Sequence, residues 1–457
     1  MTQLAIRITP ADDLIDVSRH IVVTGAAPQG RVTLTSTTVR AGGVSWRGQA
    51  TFIADATGQV DLGRDAAVAG SYLGVSAMGL IWSQAPVDSK TREFFGATPV
   101  APLTTTIEAV ADDVTETGAA GGIGNHAVAA NHAQAHFVQR LTVDGVQRRE
   151  VREQGLVGTL FTPAGPGPHP AVIVLNGSGG GINEPRAALY ASRGYAALAL
   201  GYFKAPGLSD YISNTPLEYF KTGMDWVRTH VKPAHDFVAL SGQSRGGELV
   251  LLLGATYPQA VSAVVAYVPG AVVHSGQNAA DPAVGREGPA WLLGGEPITH
   301  VWQNNRTASW KPFDEGPAPH RHERAILTAL QDADAVARAR IKVEAIRGPV
   351  MLLSGTDDGS WPSSLYSRMV QDKLKEVAHP YPVQWLDYEE GGHSILFPYV
   401  PTTQLVYAHP VSGRISTSGG HPAANARADA QSWAGVRQFL DQAVAARAAG
   451  LVAPSTH

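Results

Sequence analysis

Nothing in this sequence limits its fold as tightly as Gly242-Gln243-Ser244-Arg245-Gly246 in its setting. The apolar stretch Phe237–Leu240 precedes it and reads as a buried strand; the apolar run Leu249–Leu253 follows and reads as a helix. A serine at such a junction sits on a strained turn, and small residues around it avoid clashes and let the hydroxyl project. G-x-S-x-G by itself recurs by chance in many proteins, where its serine only shapes a turn. The strand–turn–helix context makes Ser244 a candidate nucleophile.

The surrounding sequence fits that context. From about residue 137, apolar runs alternate with helical patterns, which implies a mostly parallel sheet. Ala171–Leu175, Tyr195–Leu200, Phe237–Leu240, Ala263–Val268 and Val350–Leu353 are each uninterrupted, as expected of strands covered on both faces. Thr215-Pro216-Leu217-Glu218 has the form of a capping box, and Leu217, Phe220, Met224 and Val227 continue it as a helical stripe. Trp433, Val436, Leu440 and Val444 repeat the stripe near the end. Residues 271–340 break the alternation and read as an inserted cap.

The first 130 residues differ. Ile6 and Ile8, Ile21 and Val23, and Val32 and Leu34 alternate with polar or small neighbours, the period of half-buried strands. Gly25-Ala26-Ala27-Pro28, Ala41-Gly42-Gly43, Thr57-Gly58 and Ala69-Gly70 supply turns, so this part reads as a β-sandwich. The expected fold is therefore an α/β-hydrolase domain with a cap insertion at about 271–340, spanning 137–450. An all-β, immunoglobulin-like sandwich over 1–130 precedes it. Residues 111–136 read as a linker. His126, His132 and His136 lie in it, and the last two would share a helix face. No acidic residue stands among them, so a polar connector is expected and no metal.

A serine hydroxyl needs a neighbouring base to become a nucleophile. With the chain order Ser…Asp…His of this arrangement, the partners belong on loops after later strands. Ser354-Gly355-Thr356-Asp357-Asp358 follows Val350–Leu353, and Gly391-Gly392-His393 follows the strand-like Val383–Leu386. Asp358, three residues beyond Gly355, is the expected acid, with Asp357 bracing the loop; His393 is the expected base. The oxyanion of the reaction needs two N–H donors. Arg245 is expected to supply one, and Ser178 or Gly179 the other, from the loop Asn176-Gly177-Ser178-Gly179-Gly180-Gly181. Ile182 stands where a dinucleotide-binding pattern demands glycine, so that reading fails and no cofactor is expected.

Composition removes other classes. The net charge of −4 offers no footprint for nucleic acid or an anionic membrane. The chain has no cysteine, which excludes disulfides, thiolate metal sites and a cysteine nucleophile. No basic-then-apolar leader opens it, and no window approaches the ~18 apolar residues of a membrane span, so a soluble cytoplasmic protein is expected. The oligomeric state is left open.

These motifs resemble one family, the type I acyl-CoA thioesterases and bile acid-CoA:amino acid N-acyltransferases, over nearly the whole chain. Gly43-Val44-Ser45-Trp46, Gly58-Gln59-Val60-Asp61-Leu62, Gly70-Ser71-Tyr72 and Met78-Gly79-Leu80-Ile81-Trp82-Ser83 are similar to its N-terminal domain. Val151-Arg152-Glu153 and Gly158-Thr159-Leu160-Phe161 with Pro163 match its junction. Pro216-Leu217-Glu218-Tyr219-Phe220, Ser244-Arg245-Gly246-Gly247-Glu248-Leu249, Asp357-Asp358 with Trp361 and Ser363, Gly392-His393, and Gly419-Gly420-His421-Pro422 match its catalytic part. Arg245 replaces a frequent lysine, and 271–340 resembles the family least. The C-terminus Ala453-Pro454-Ser455-Thr456-His457 lacks the Ser-Lys-Leu address of some relatives.

The resemblance implies hydrolysis of acyl-CoA to acid and CoA through an acyl-Ser244 intermediate. Serine members resemble thioesterases, whereas the amino-acid acyltransferases use cysteine. Three alternatives are carried forward: a carboxylester or lactone hydrolase with the same triad, an acyl-CoA-dependent acyltransferase, and a non-catalytic binding protein.

Overall fold

The structure is a computed structural model describing residues 3–96, 100–111 and 131–450. Its contacts divide the chain into two units, Met1–Leu141 with Pro398–Gln404, and Thr142–Phe397 with Leu405–His457.

Among the described residues the smaller unit holds two sheets. One has three strands, Ala5–Thr9, His20–Thr24 and Val60–Asp61; the other has seven and includes Arg31–Val39, Ser45–Ile53, Leu103–Ala111 and Asn131–Arg140. Period-two burial drives the packing: Val32 and Leu34 on one strand, and Trp46, Ala50 and Phe52 on its partner, turn inward. Val32, Leu34, Ala50 and Phe52 share a core with Ile8, Ile21, Val23 and Val60 of the other sheet, which makes the unit a sandwich. The polar inward residues are paired: Thr38 Oγ1 meets Thr105 Oγ1 at 2.7 Å, and Gln84 Nε2 donates to Thr38 Oγ1 at 2.9 Å.

Three expectations for this unit change. The linker expected over 111–136 includes part of a strand, Asn131–Arg140, which pairs antiparallel with Leu103–Ala111; the unit therefore runs to Leu141 rather than ending at 130. Its inward positions begin with the small Ala133 and Ala135 before reaching Phe137, so the apolar alternation is faint. His132 and His136 are exposed on one face of this strand, not on a helix, and His136 bonds Thr106. His126 lies outside the described residues. Ala69-Gly70, expected as a turn, is a short strand paired with Ala50 and Thr51.

The larger unit is built on eight strands: β1 (Gln147–Val151), β2 (Val157–Thr162), β3 (Ala171–Leu175), β4 (Ala196–Gly201), β5 (Val238–Gln243), β6 (Ala263–Tyr267), β7 (Val350–Gly355) and β8 (Val383–Tyr388). Their spatial order is β1-β2-β4-β3-β5-β6-β7-β8. β2 runs antiparallel to β1 and β4, and the rest are parallel. Every residue of β3, β4, β6 and β7 is buried, which is why these strands appear as apolar runs, broken only by Ser354 near the end of β7. Each fully buried Val, Leu or Ile side chain contributes about 1.5–3 kcal/mol. Helices α1 (Glu184–Ser192), α2 (Leu217–Trp226), α3 (Arg245–Thr256), α4 (Ser363–Glu376) and α5 (Pro422–Ala448) accompany the sheet.

The capping box expected at Thr215 does not form. Thr215 and Pro216 pair as a short strand with Trp291 and Leu292, and the Thr215 hydroxyl donates to the Ile212 carbonyl at 2.7 Å. Glu218 accepts from the Gly294 amide at 2.7 Å instead of reaching back to the cap. Its helix still buries Leu217, Phe220 and Met224. Between β6 and β7 the chain leaves the sheet for short elements, among them Lys311–Asp314, Glu323–Ala329 and Ala333–Ala339. Trp302 and Trp310 stack there at 4.0 Å, and His322 lies parallel to Trp310. Among the described residues no helix is long and apolar enough to cross a membrane.

Candidate active site

Ser244 joins the end of β5 to the start of α3 with φ 59° and ψ −118°, a backbone conformation costly for a residue with a side chain. The neighbours make that turn possible by lacking side chains. A β-carbon on Gly242 would stand 2.1 Å from the Gly246 carbonyl oxygen, and one on Gly246 would stand 2.5 Å from that of Leu175. The Ser244 amide donates to the Tyr267 carbonyl at 2.8 Å, tying the elbow to β6. Gly246→Ala is expected to cost about 1–3 kcal/mol through overpacking, because backbone on β3 must move. It should also lower phosphonate labelling of Ser244; equal labelling and an unchanged melting temperature would refute this.

Asp358 and His393 come from the loops after β7 and β8. His393 Nε2 stands 2.6 Å from Ser244 Oγ, and its Nδ1 stands 2.8 Å from Asp358 Oδ2. A carboxylate accepts, so Nδ1 carries the ring proton and Nε2 is free to take one from the serine. Asp358 is buried, and its other oxygen accepts from the amides of Ser360 at 2.8 Å and Trp361 at 3.1 Å. Asp357 turns elsewhere: its carboxylate takes the Gly420 amide at 2.9 Å and pairs with Arg321 at 3.0 Å.

The glycines of Gly419-Gly420-His421-Pro422 lock the two loops together. The Gly359 amide and the His393 amide both donate to Ser418, at 3.0 and 2.8 Å, and Asn425 accepts from Gly392 at 2.7 Å. A β-carbon on Gly420 would stand 2.5 Å from the Gly392 nitrogen. Sequence reading assigned no task to Ser418 or Asn425. The paired glycines ahead of a proline-headed helix are the signal that could have found them.

Three amides are available for an oxyanion. Those of Arg245, Ser178 and Gly179 have no protein acceptor among the described residues. Arg245 opens α3, whose dipole places partial positive charge there. The glycine loop comes close: a β-carbon on Gly177 would lie 3.2 Å from Ser244 Cβ. Internal bonds hold the loop in shape. Asn176 Nδ2 donates to Gly180 O at 2.6 Å, and Tyr202 Oη donates to Asn176 O at 2.6 Å.

Behind the elbow lies a buried charge network that sequence reading missed. Arg245 donates to both oxygens of Glu248 at 3.0 and 3.3 Å, and to Ser275 O and Gln277 Oε1, each at 2.9 Å. Glu248 also accepts from His274 Nδ1 and Trp291 Nε1, both at 2.9 Å. Nε2 of His274 accepts from Tyr366 Oη at 2.8 Å. Burial opposes ionisation of Glu248, but Arg245, His274 and Trp291 outweigh it and hold the carboxyl below its ordinary value. Burial pushes His274 and His322 down, and takes His300 to about 4, so these rings are neutral at neutral pH. Among the described residues, no three acidic or histidine side chains are grouped to hold a metal.

A sheet ordered β1-β2-β4-β3-β5-β6-β7-β8, with a serine elbow after β5, a carboxylate after β7 and a histidine after β8, makes this unit an α/β-hydrolase. Comparison with known sequences narrows the class. Residues 16–153 match the acyl-CoA thioester hydrolase/BAAT N-terminal region, and residues 215–446 match the BAAT/acyl-CoA thioester hydrolase C-terminal region. The chain belongs to this family. It is 30% identical to acyl-coenzyme A thioesterase 6 of Mus musculus over 431 residues, 93% of each chain. It is also 30% identical to mitochondrial acyl-coenzyme A thioesterase 2 of the same species over 425 residues, 93% of this chain and 86% of that one. Acyl-coenzyme A thioesterase 6 of Homo sapiens is 29% identical over 432 residues.

Proposed function

We propose that this chain hydrolyses acyl-CoA thioesters to the free acid and CoA through an acyl intermediate on Ser244. The row Asp358–His393–Ser244, with contacts of 2.8 and 2.6 Å, is the observation that carries the reading. His393 Nε2 takes the Ser244 proton as Oγ attacks the acyl carbon. The tetrahedral oxyanion is held by the Arg245 amide and one of the loop amides, Ser178 or Gly179. The intermediate collapses with loss of CoA sulfur, which receives the proton from His393. Water then attacks the acyl ester, His393 again taking and returning a proton, and the acid leaves. Asp358 keeps the ring in the tautomer this requires.

Serine as nucleophile favours water over an amine in the second step, because an acyl-serine ester is less reactive toward amines than a thioester. The absence of cysteine rules out a thiol nucleophile in this chain.

The test is CoA release from short- to long-chain acyl-CoAs, beside p-nitrophenyl esters and with glycine or taurine added. Release of CoA with free acid as sole acyl product is expected. Ester cleavage without CoA release would replace the substrate class and keep the triad. Conjugate formed at the expense of acid would make the chain an acyltransferase.

A further inference from the structure

Ser178 stands one residue beyond Gly177, the point at which the glycine loop presses on the nucleophile. Its hydroxyl oxygen lies 3.0 Å from Nε2 of His409, a buried ring that the reaction above does not use. The other ring nitrogen decides which partner donates. Nδ1 of His409 lies 3.2 Å from the Val411 amide and 3.3 Å from the Ser412 amide. Amides only donate, so Nδ1 bears no proton, and the single proton of the neutral ring sits on Nε2. Burial, with Lys204 and Arg245 nearby, holds this histidine down to about 4, which keeps the ring neutral at neutral pH.

His409 therefore donates to Ser178 Oγ, and the serine's own proton is left over. An O–H that accepts from Nε2 directs its hydrogen away from that nitrogen. Among the described residues no protein acceptor takes it. The histidine is fixed in turn. Its amide donates to Arg414 O at 2.9 Å, and its carbonyl accepts from the Gly413 amide at 2.8 Å. Lys204 Nζ donates to Pro410 O, and the Pro410 ring lies against Gly179, 3.5 Å from where a β-carbon would stand. One tight turn thus braces the glycine loop and turns the Ser178 hydrogen away from His409.

We infer that the Ser178 hydroxyl is a further donor to the oxyanion, added to the backbone amides, and that His409 is the positioning residue that aims it. The inference rests on the acyl-Ser244 reading and deepens it. A hydroxyl fixed from behind needs no reorganisation when charge develops on the acyl oxygen, the condition under which such a donor is most effective.

The experiment is a mutant cycle on Ser178→Ala, His409→Leu and the double variant, with Ser178→Thr and His409→Gln as conservative partners. Ser178→Ala is expected to lower kcat by about 10- to 100-fold with KM changed less than about threefold, a partial loss of oxyanion stabilisation. His409→Leu should match it, and the double variant should be no slower than Ser178→Ala alone. Threonine keeps a hydroxyl, and glutamine keeps one donor and one acceptor, so both should retain most of the activity. A Ser178→Ala kcat within about twofold of wild type, or fully additive losses in the double variant, would overturn the inference. Should His409→Leu fold poorly, Ser178→Ala against Ser178→Thr still decides the donor, and His409→Gln decides the positioning. Running the set on an acyl-CoA and on a p-nitrophenyl ester separates the two readings. Wild type that cleaves only the ester defeats the thioester substrate, while the cycle on the ester still tests Ser178.

Discussion

Ser244→Ala should lower CoA release by about 10⁵- to 10⁶-fold while leaving the melting temperature within a few degrees of wild type. The size follows from covalent catalysis: without Oγ there is no acyl-enzyme, and only the oxyanion donors and binding remain to accelerate attack by water. The lack of a large stability effect follows from the surroundings. Among the described residues the serine's only side-chain partner is His393, at 2.6 Å, and alanine meets the same backbone strain at φ 59°. His393→Ala should fall nearly as far, and the double variant no further, because the two act as one unit. Asp358→Asn should cost about 10⁴-fold by favouring the wrong histidine tautomer. Single-turnover release of CoA and mass spectrometry of a phosphonate adduct check the series. Turnover by Ser244→Ala near that of wild type would remove Ser244 from the mechanism.

What could be read from the sequence was what buried strands write into it. β3, β6 and the Val350–Leu353 part of β7 are covered on both faces, so their residues are almost all aliphatic, and the loops that follow them stand out. Asp358 follows one such strand and Ser244 the equally buried start of β5, while His393 follows the half-buried β8; their order along the chain needs no knowledge of distance. Asn131–Arg140 escaped because its first inward positions are alanines, which carry almost no hydrophobic contrast. The capping box failed because Thr215 was already engaged by Ile212 and by pairing with Trp291, a partner 76 residues on. Glu248, His274, Trp291 and Tyr366 share one buried site but belong to separate stretches of chain, so no local period marks them. The tie between Ser178 and His409 is of the same kind, spanning 231 residues.

The largest loss of stability is expected from Glu248→Ala, about 3–5 kcal/mol, because it breaks a buried ion pair from one side. Glu248 is wholly buried, and Arg245 is nearly so. Taking away the carboxylate strands a guanidinium in the protein interior and leaves the N–H groups of His274 and Trp291 without their acceptor. Arg245 retains Ser275 O and Gln277 Oε1, which satisfy hydrogens but carry no full charge. Glu248→Gln keeps the shape and one acceptor yet turns an amide donor toward other donors, so it should recover only part of the loss. Arg245→Met with Glu248→Leu should recover more than either single change, since no unpaired charge then remains. The pH dependence has a definite sign. A carboxyl held below its ordinary 4.5 stabilises the fold above that value, and the contribution is lost as pH falls through the folded pKa. The gap between wild type and Glu248→Ala should therefore be flat from pH 8 to about 5.5 and narrow below about 4.5. Urea unfolding of wild type and these variants, both single changes of the pair included, at pH 7.5 and pH 4 measures both effects. A Glu248→Ala midpoint equal to wild type, or a double variant weaker than both singles, would show that the network does not hold the elbow helix to Ser275, Gln277 and Trp291.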